Sequence, residues 1–392
     1  MKLYIFNPDS DMSLANNDEN YMAPLSARRM AEDLALMPVW YAESGSAVLA
    51  ASAYNIVYLE ELKQQFMLPV EILTKPELTN YNDLEVIPWG WNRALRKDLF
   101  ISGVSLSNIP SVEEMETIRG LSSRLFAKDI LNTFANEEYC CGESVVLSDL
   151  SSCQSFVEVN SQCVLKAPWS GSGKGLSWCS GSFTKSISGW CNRMLKEQGS
   201  VMGEPVFNKV EDFAMEFWAD GRGQVFFIGY SLFSTTSKGA YVGNILSSSE
   251  QIEAFLGEYI PFEKLIQLRE KMKQALADTL SHSYYGYLGV DMMICKTNLS
   301  DTGYFIHPCL EINVRMNMGI VVHNLYKNFV VSGRGGRFVI EYYKSNDTLQ
   351  EAHREAQKMF PLYIEHGRIA SGYLSLVPVT PKSQYRAYIE VK

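Results

Sequence analysis

The stretch Phe305-Ile306-His307-Pro308-Cys309-Leu310-Glu311-Ile312-Asn313-Val314-Arg315-Met316-Asn317-Met318-Gly319 constrains this chain more than any other. Its alternation of apolar and polar residues reads as a strand. On a strand, residues two apart share a face and lie about 6.6 Å from each other. Glu311 and Asn313 therefore look into one space, and Arg315 follows on that side if the strand continues. A carboxylate, an amide oxygen and a guanidinium on one face suit a Mg²⁺-bound phosphate. The same pattern also serves the polar outer face of a sheet edge, so the rest of the chain has to separate the two.

A chain of 392 residues can hold two or three domains and a sizeable core. Its net charge of −9 gives no basic footprint, which argues against nucleic acid as a partner. The start, Met1-Lys2-Leu3-Tyr4-Ile5-Phe6-Asn7-Pro8, reads as a strand running into a turn, not a signal peptide. No apolar run reaches the ~18–20 residues of a membrane helix. The 8 cysteines form no CxxC and no zinc-like spacing with histidine. Reduced thiols in a cytoplasmic protein are the expectation.

Residues 1–118 alternate short strands with helices, the pattern of a parallel sheet with helices packed on it. Strands are expected at 3–6, 39–41, 56–59 and 85–88, and helices at 26–36 and 92–100. There is no GxGxxG, so no dinucleotide site is assigned. The loop 7–20 is long and dense in Asp and Asn, and it follows a strand, where ligands sit in such sheets. Trp89-Gly90-Trp91-Asn92 follows a strand in the same way. Both segments are candidates for the substrate side, against plainer readings as a solvated loop and ordinary packing.

Residues 111–136 read as mostly helical, with Ser111 and Glu114 as a capping box, and a domain boundary is placed near 118. Arg124 and Lys128 share a helix face. Next, a strand carries Lys166 into Ala167-Pro168-Trp169-Ser170-Gly171-Ser172-Gly173-Lys174-Gly175. Glycines let backbone amides approach phosphate oxygens, and two lysines add charge. The frame is not a P-loop, because Pro168 and Gly175 stand where GxxxxGK[ST] needs Gly and Ser or Thr. Strands at 212–218 and 224–230 flank an Asp220-Gly221-Arg222-Gly223 turn, and Lys238 lies in a Ser/Thr/Gly loop beyond. An amphipathic helix at 262–281 precedes a strand at 286–295 that contains Asp291. Turn residues at 296–303 make this strand and the one at 305–315 an antiparallel hairpin. With its centre near residue 300, Asp291 is expected opposite Cys309 and diagonal to Glu311, on one face. Hard oxygen ligands of this kind select Mg²⁺ or Mn²⁺ over zinc. Gly-rich Ser332-Gly333-Arg334-Gly335-Gly336-Arg337 reads as a basic turn, followed by a helix at 345–359 and strands at 369–377 and 385–391.

Taken in order, these segments resemble the ATP-grasp superfamily of carboxylate–amine ligases over roughly residues 119–330. The Lys166 to Gly175 loop is similar to the lid loop of biotin carboxylase and of formate-dependent glycinamide ribonucleotide transformylase. Glu311-Ile312-Asn313-Val314-Arg315 is similar to the family's E-x-N-x-R metal strand, and Gly286-Tyr287-Leu288-Gly289-Val290-Asp291 to its Gly-x-x-x-x-Asp strand. The resemblance implies an α/β and α+β chain: an N-terminal parallel α/β domain over 1–118 and an ATP-grasp domain over 119–392. The latter would have a small lid at about 160–204 and a closing element at 345–392. It implies ATP with Mg²⁺ or Mn²⁺, small carboxylate and amine substrates, and release of ADP and phosphate. It leaves room for a homo-oligomer. By position, Arg124, Lys166 and the loop residues Ser170, Gly171, Ser172, Gly173, Lys174 and Gly175 would meet phosphates. Glu204, Val206 and Phe207 would form the adenine slot, and Asp212 would take the ribose. Lys238 would reach the terminal phosphates. Asp291, Glu311 and Asn313 would hold the metal, and Arg315 the acyl-phosphate or its tetrahedral successor. Arg124 stands where the family usually has Lys, and Gly289 where D-alanine–D-alanine ligase has Arg. A small-molecule kinase or a non-catalytic nucleotide-binding module are the alternatives.

Overall fold

The computed structural model describes residues 1–171, 175–236, 239, 241–297 and 303–392. Three sheets organise it. The first is parallel, in the order Val70–Leu73, Ser46–Leu49, Lys2–Ile5, Glu85–Pro88. Alternation in its central strand splits the core in two. Leu3 and Ile5 pack with Val86, Leu99 and Ile109 on one face. Tyr4 and Phe6 face the other way, into a cluster shared with Leu374, Leu376 and Ile389 from the end of the chain. Polar links follow the same route: Trp40 Nε1 donates to the Leu376 carbonyl at 2.8 Å, and Asp33 accepts from the amides of Gln384 and Tyr385.

Two expected strands of this region are helical. Met37–Trp40 is a 3₁₀ turn, because Pro38 presets its φ and offers no ladder donor. Residues 56–59 lie inside the helix Ala53–Lys63, capped by Ser52, with Asn55, Leu59 and Leu62 turned inward and Ile56 and Val57 exposed. A cap and a buried stripe here override β-propensity. The strands Ser46–Leu49 and Val70–Leu73 did not stand out in the sequence. The loop 7–20 is not wholly irregular either: it holds the helix Ser10–Asn16, closed by Asn17 at φ 57°.

A second, antiparallel sheet runs Val145–Leu147, Val201–Pro205, Cys163–Lys166, Leu176–Cys179, with the helices Leu150–Val159 and Lys185–Gln198 over it. Its private core includes Cys153, Val157, Leu165 and Cys191. The unit thus begins at Val145, earlier than the expected lid start at 160. The helix Val112–Leu121 runs through residue 118, with the expected capping box at its start.

The third sheet has nine strands. At one edge lie Tyr304–Asn313, Tyr285–Lys296, Lys209–Asp220 and Val225–Thr235, all antiparallel. Phe213, Met215, Phe217, Leu288, Val290 and Ile312 point to the face covered by the helix Phe262–Leu280. Period two then turns Asp212, Glu216, Trp218, Gly289, Asp291 and Asn313 to the opposite face.

The edge hairpin carries a bulge. Near its turn Met293 pairs with His307, but beyond it Asp291 pairs with Glu311. Met292 thus faces three residues, Pro308, Cys309 and Leu310. Pro308 has no N–H for the ladder, which is where a strand gives way to a bulge. Asp291 is therefore directly opposite Glu311, not opposite Cys309.

Candidate functional site

The polar face of the nine-stranded sheet is ordered in rows. Asp291 and Glu311 form one row, Glu216, Gly289 and Asn313 the next, and Trp218 and Tyr287 the one after. Asn313 Nδ2 lies 3.1 Å from Asp291 Oδ2, and its Oδ1 accepts from Arg315 at 2.7 Å. Burial, then the Glu311 and Glu216 carboxylates, push the Asp291 carboxyl well above the usual range. A divalent cation would relieve that repulsion, and two carboxylates with one amide oxygen suit a hard ion. Turning the Asn313 amide by half a turn presents its oxygen to that space. Among the described residues no three His, Cys, Asp or Glu side chains gather around one point.

Two arginines close on this row. Arg124, 6 % exposed, starts the helix Arg124–Asn132 and donates Nη2 to Glu311 Oε2 at 2.8 Å. Its Nη1 reaches the Ala167 carbonyl and Ser170 Oγ in the lid. Arg315 grips Asp11 in a fork, Nε to Oδ1 at 2.8 Å and Nη2 to Oδ2 at 2.6 Å. Asp11 comes from the short helix in the 7–20 loop, and Gly171 passes so close that a Cβ there would strike the Asp11 carboxylate. The N-terminal unit, the lid and the strand Tyr304–Asn313 therefore meet around Glu311 and Arg315.

Across the space, Lys166 and Glu204 sit on adjacent lid strands and pair at 2.5 Å, with side chains 10 % and 7 % exposed. Ser144 Oγ also donates to Glu204. Phe207 meets the His307 ring edge-on at 5.6 Å, while Val206 is exposed. Asp212 is held by Lys209 at 2.6 Å and by Thr235 Oγ1 at 2.7 Å. Gly175 accepts from the Ala167 amide and leaves no room for a Cβ beside Ser170. Ser172, Gly173, Lys174 and Lys238 lie outside the described residues.

Three residues were not singled out from sequence. Asp11 had only its acidic loop as a signal. Glu216, 1 % exposed, accepts from Ser231 Oγ at 2.9 Å and Asn317 Nδ2 at 2.7 Å, and burial pushes its carboxyl up to about 7. Its signal was a Glu alternating with apolar neighbours on a strand. His307, 1 % exposed, has no hydrogen-bond partner on either ring nitrogen among the described residues, and burial pushes it down to about 4.

No protein-family model and no curated protein matches the chain. Solved structures do. A biotin carboxylase β,γ-ATP complex from Campylobacter jejuni superposes with a TM-score of 0.55 at 14% identity, over 100% of this chain and 87% of that one. The biotin carboxylase domain of Hydrogenobacter thermophilus 2-oxoglutarate carboxylase, with MgADP and bicarbonate, gives 0.51 at 11% identity over 88% and 86%. N5-carboxyaminoimidazole synthetase from Staphylococcus aureus, with ADP, gives 0.47 at 12% identity over 88% and 93%. The first two establish the fold as ATP-grasp, with a parallel N-terminal unit, a small lid and a large antiparallel sheet.

Proposed function

We propose that this protein is an ATP-dependent, ADP-forming ligase that activates a carboxylate as an acyl-phosphate and passes it to an amine. The observation that carries the reading is the ordered face of the nine-stranded sheet. Asp291, Glu311 and Asn313 stand in neighbouring rows, Arg315 follows, and the Lys166 lid strand lies across from them. The structural neighbours bound to ATP, ADP or MgADP support a nucleotide with Mg²⁺ in this space.

A carboxylate is a poor electrophile, so the chain's task is to position two anions and offset their charge. Asp291, Glu311 and Asn313 would hold Mg²⁺, which as a Lewis acid draws charge from phosphate oxygens. Lys166 and the amides around Ser170 and Gly171 would take phosphate oxygens. Glu204, Val206 and Phe207 would bound the base, and Asp212 the ribose. Arg124, which holds both Glu311 and the lid carbonyl of Ala167, would exchange Glu311 for a phosphate. Arg315, already forked onto a carboxylate in Asp11, has the geometry to bind a substrate carboxylate and the oxyanion that develops from it. Closure of the lid excludes water from the acyl-phosphate.

The test is purified protein with Mg²⁺-ATP and a panel of carboxylic acids and amines. Acid- and amine-dependent ADP and phosphate, with an amide product, support the reading. A stable phosphorylated product in place of an amide would make the protein a kinase.

A further inference from the structure

The ordered face does not end at Arg315. One row beyond Asn313, Trp218 and Tyr287 pair across the strands, and Tyr285 follows. Trp218 meets both tyrosines edge-on, at 4.6 Å to Tyr287 and 5.0 Å to Tyr285. Opposite them stand Tyr4, Tyr41 and Trp91 of the N-terminal unit, with Tyr4 and Tyr41 edge-on at 5.9 Å. These rings wall a cleft of about 260 Å³, whose lining also includes Arg315 and the Lys2–Glu43 ion pair, 2.6 Å long. Tyr4 belongs to the buried core, and Tyr41, Tyr287 and Trp91 pack against it in part, so the cleft lies where the core opens to the surface. Trp218, Tyr287 and Trp91 are only half-buried, and Tyr285 is 50 % exposed. Aromatic faces flanking an open space, with an arginine in its lining, suit a flat apolar body that carries an anion.

We propose that the carboxylate substrate is an aromatic acid. Its ring lies between Trp218, Tyr287 and the N-terminal rings, and its carboxylate takes the Arg315 fork now held by Asp11. The volume is below the roughly 300–1,000 Å³ of drug-sized pockets, so it fits one single or fused ring with a short acid arm. A polar ring substituent would reach the Lys2–Glu43 pair. This deepens the ligase reading and rests on it for the chemistry, but not for the binding.

The experiment is calorimetric titration of the whole protein, with Mg²⁺-ADP present, using phenylacetate, indole-3-acetate and L-tyrosine against acetate and succinate. Trp91 and Trp218 in the walls also make intrinsic fluorescence a direct reporter. The aromatic acids are expected to bind saturably and to change the fluorescence, while acetate and succinate do not. Trp218→Ala is expected to weaken aromatic-acid binding at least about tenfold. Trp218→Phe is expected to restore most of it, with Mg²⁺-ADP affinity unchanged in both. Tyr287→Ala gives a second, independent variant. Binding of the aliphatic acids alone, or of none of the panel, would overturn the aromatic assignment. Acid-dependent ADP release with aliphatic acids only would overturn it as well and leave the ligase reading standing. Aromatic-acid binding without turnover with any amine would uphold the cleft and remove the ligase reading.

Discussion

Arg124 and Glu311 form an ion pair of 2.8 Å that ties the lid to the strand of the candidate metal site. The same guanidinium holds the Ala167 carbonyl and Ser170, so one residue touches both the lid loop and the Asp291–Glu311 row. On the proposed reading, phosphate and metal would draw Glu311 to the metal and free Arg124 for phosphate. Arg124→Leu is expected to raise the KM for Mg²⁺-ATP by about 10- to 100-fold, the worth of one or two charge-assisted hydrogen bonds. It should also make the lid more open to proteolysis. Steady-state kinetics and limited digestion check both.

Glu311→Gln keeps shape and hydrogen-bonding capacity but removes a negative charge. The fold should survive, and Mg²⁺-ATP turnover should fall by about 100-fold or more, since the proposed metal site would lose an anionic ligand. Circular dichroism and ADP release measured on one sample separate the two effects.

Asp11 and Arg315 form a largely buried pair, with side chains 21 % and 15 % exposed. Removing one partner leaves the other charge stranded. Arg315→Ala should lose about 1–3 kcal/mol of stability and nearly all turnover. Arg315→Lys keeps the charge but not the fork, so it should regain stability and little activity. Urea melts beside initial rates give the comparison.

Glu216 and His307 set opposite pH responses. Burial raises the Glu216 carboxyl to about 7, so its protonated form is favoured in the fold. Its contribution is complete below about 4.5 and is lost as pH rises through 7. Glu216→Gln, with its amide turned toward Ser231, should leave stability nearly unchanged at about pH 4. It should raise it by up to about 3 kcal/mol at pH 8.5.

His307 runs the other way. Burial first, then Lys166, lower it to about 4, so the neutral ring is favoured in the fold. Its contribution is complete above about 6.5 and disappears as pH falls through 4, a loss of up to about 3 kcal/mol. His307→Phe should flatten that part of the stability curve, read from melts between pH 7.5 and 4.

Much of the candidate site follows from period two. Glu311 and Asn313 share a face because they are two apart, and the turn-rich segment near residue 300 fixed which strand carries Asp291. The direct pairing of Asp291 with Glu311 was not legible, because it depends on a bulge at Pro308, a hydrogen-bonding effect that residue spacing does not express. Apolar runs misled at 56–59, where Ser52 and the stripe Asn55, Leu59, Leu62 decide for helix. The early lid strand Val145–Leu147 is too short to show a period. Asp11 meeting Arg315 is a matter of how two units pack, and nothing local announces it. The parallel character of the N-terminal sheet was legible, but its fusion to Leu374, Leu376 and Ile389 was not.

The most direct measurement is a coupled assay of ADP and phosphate with Mg²⁺-ATP, one carboxylic acid and one amine at a time, with the amide product identified by mass spectrometry. The expected result is one ADP and one phosphate per amide formed, abolished when either the acid or the amine is left out and in Glu311→Gln. Release of AMP and pyrophosphate would mean adenylation, and the acyl-phosphate chemistry assigned to Arg315 and the metal row would be wrong.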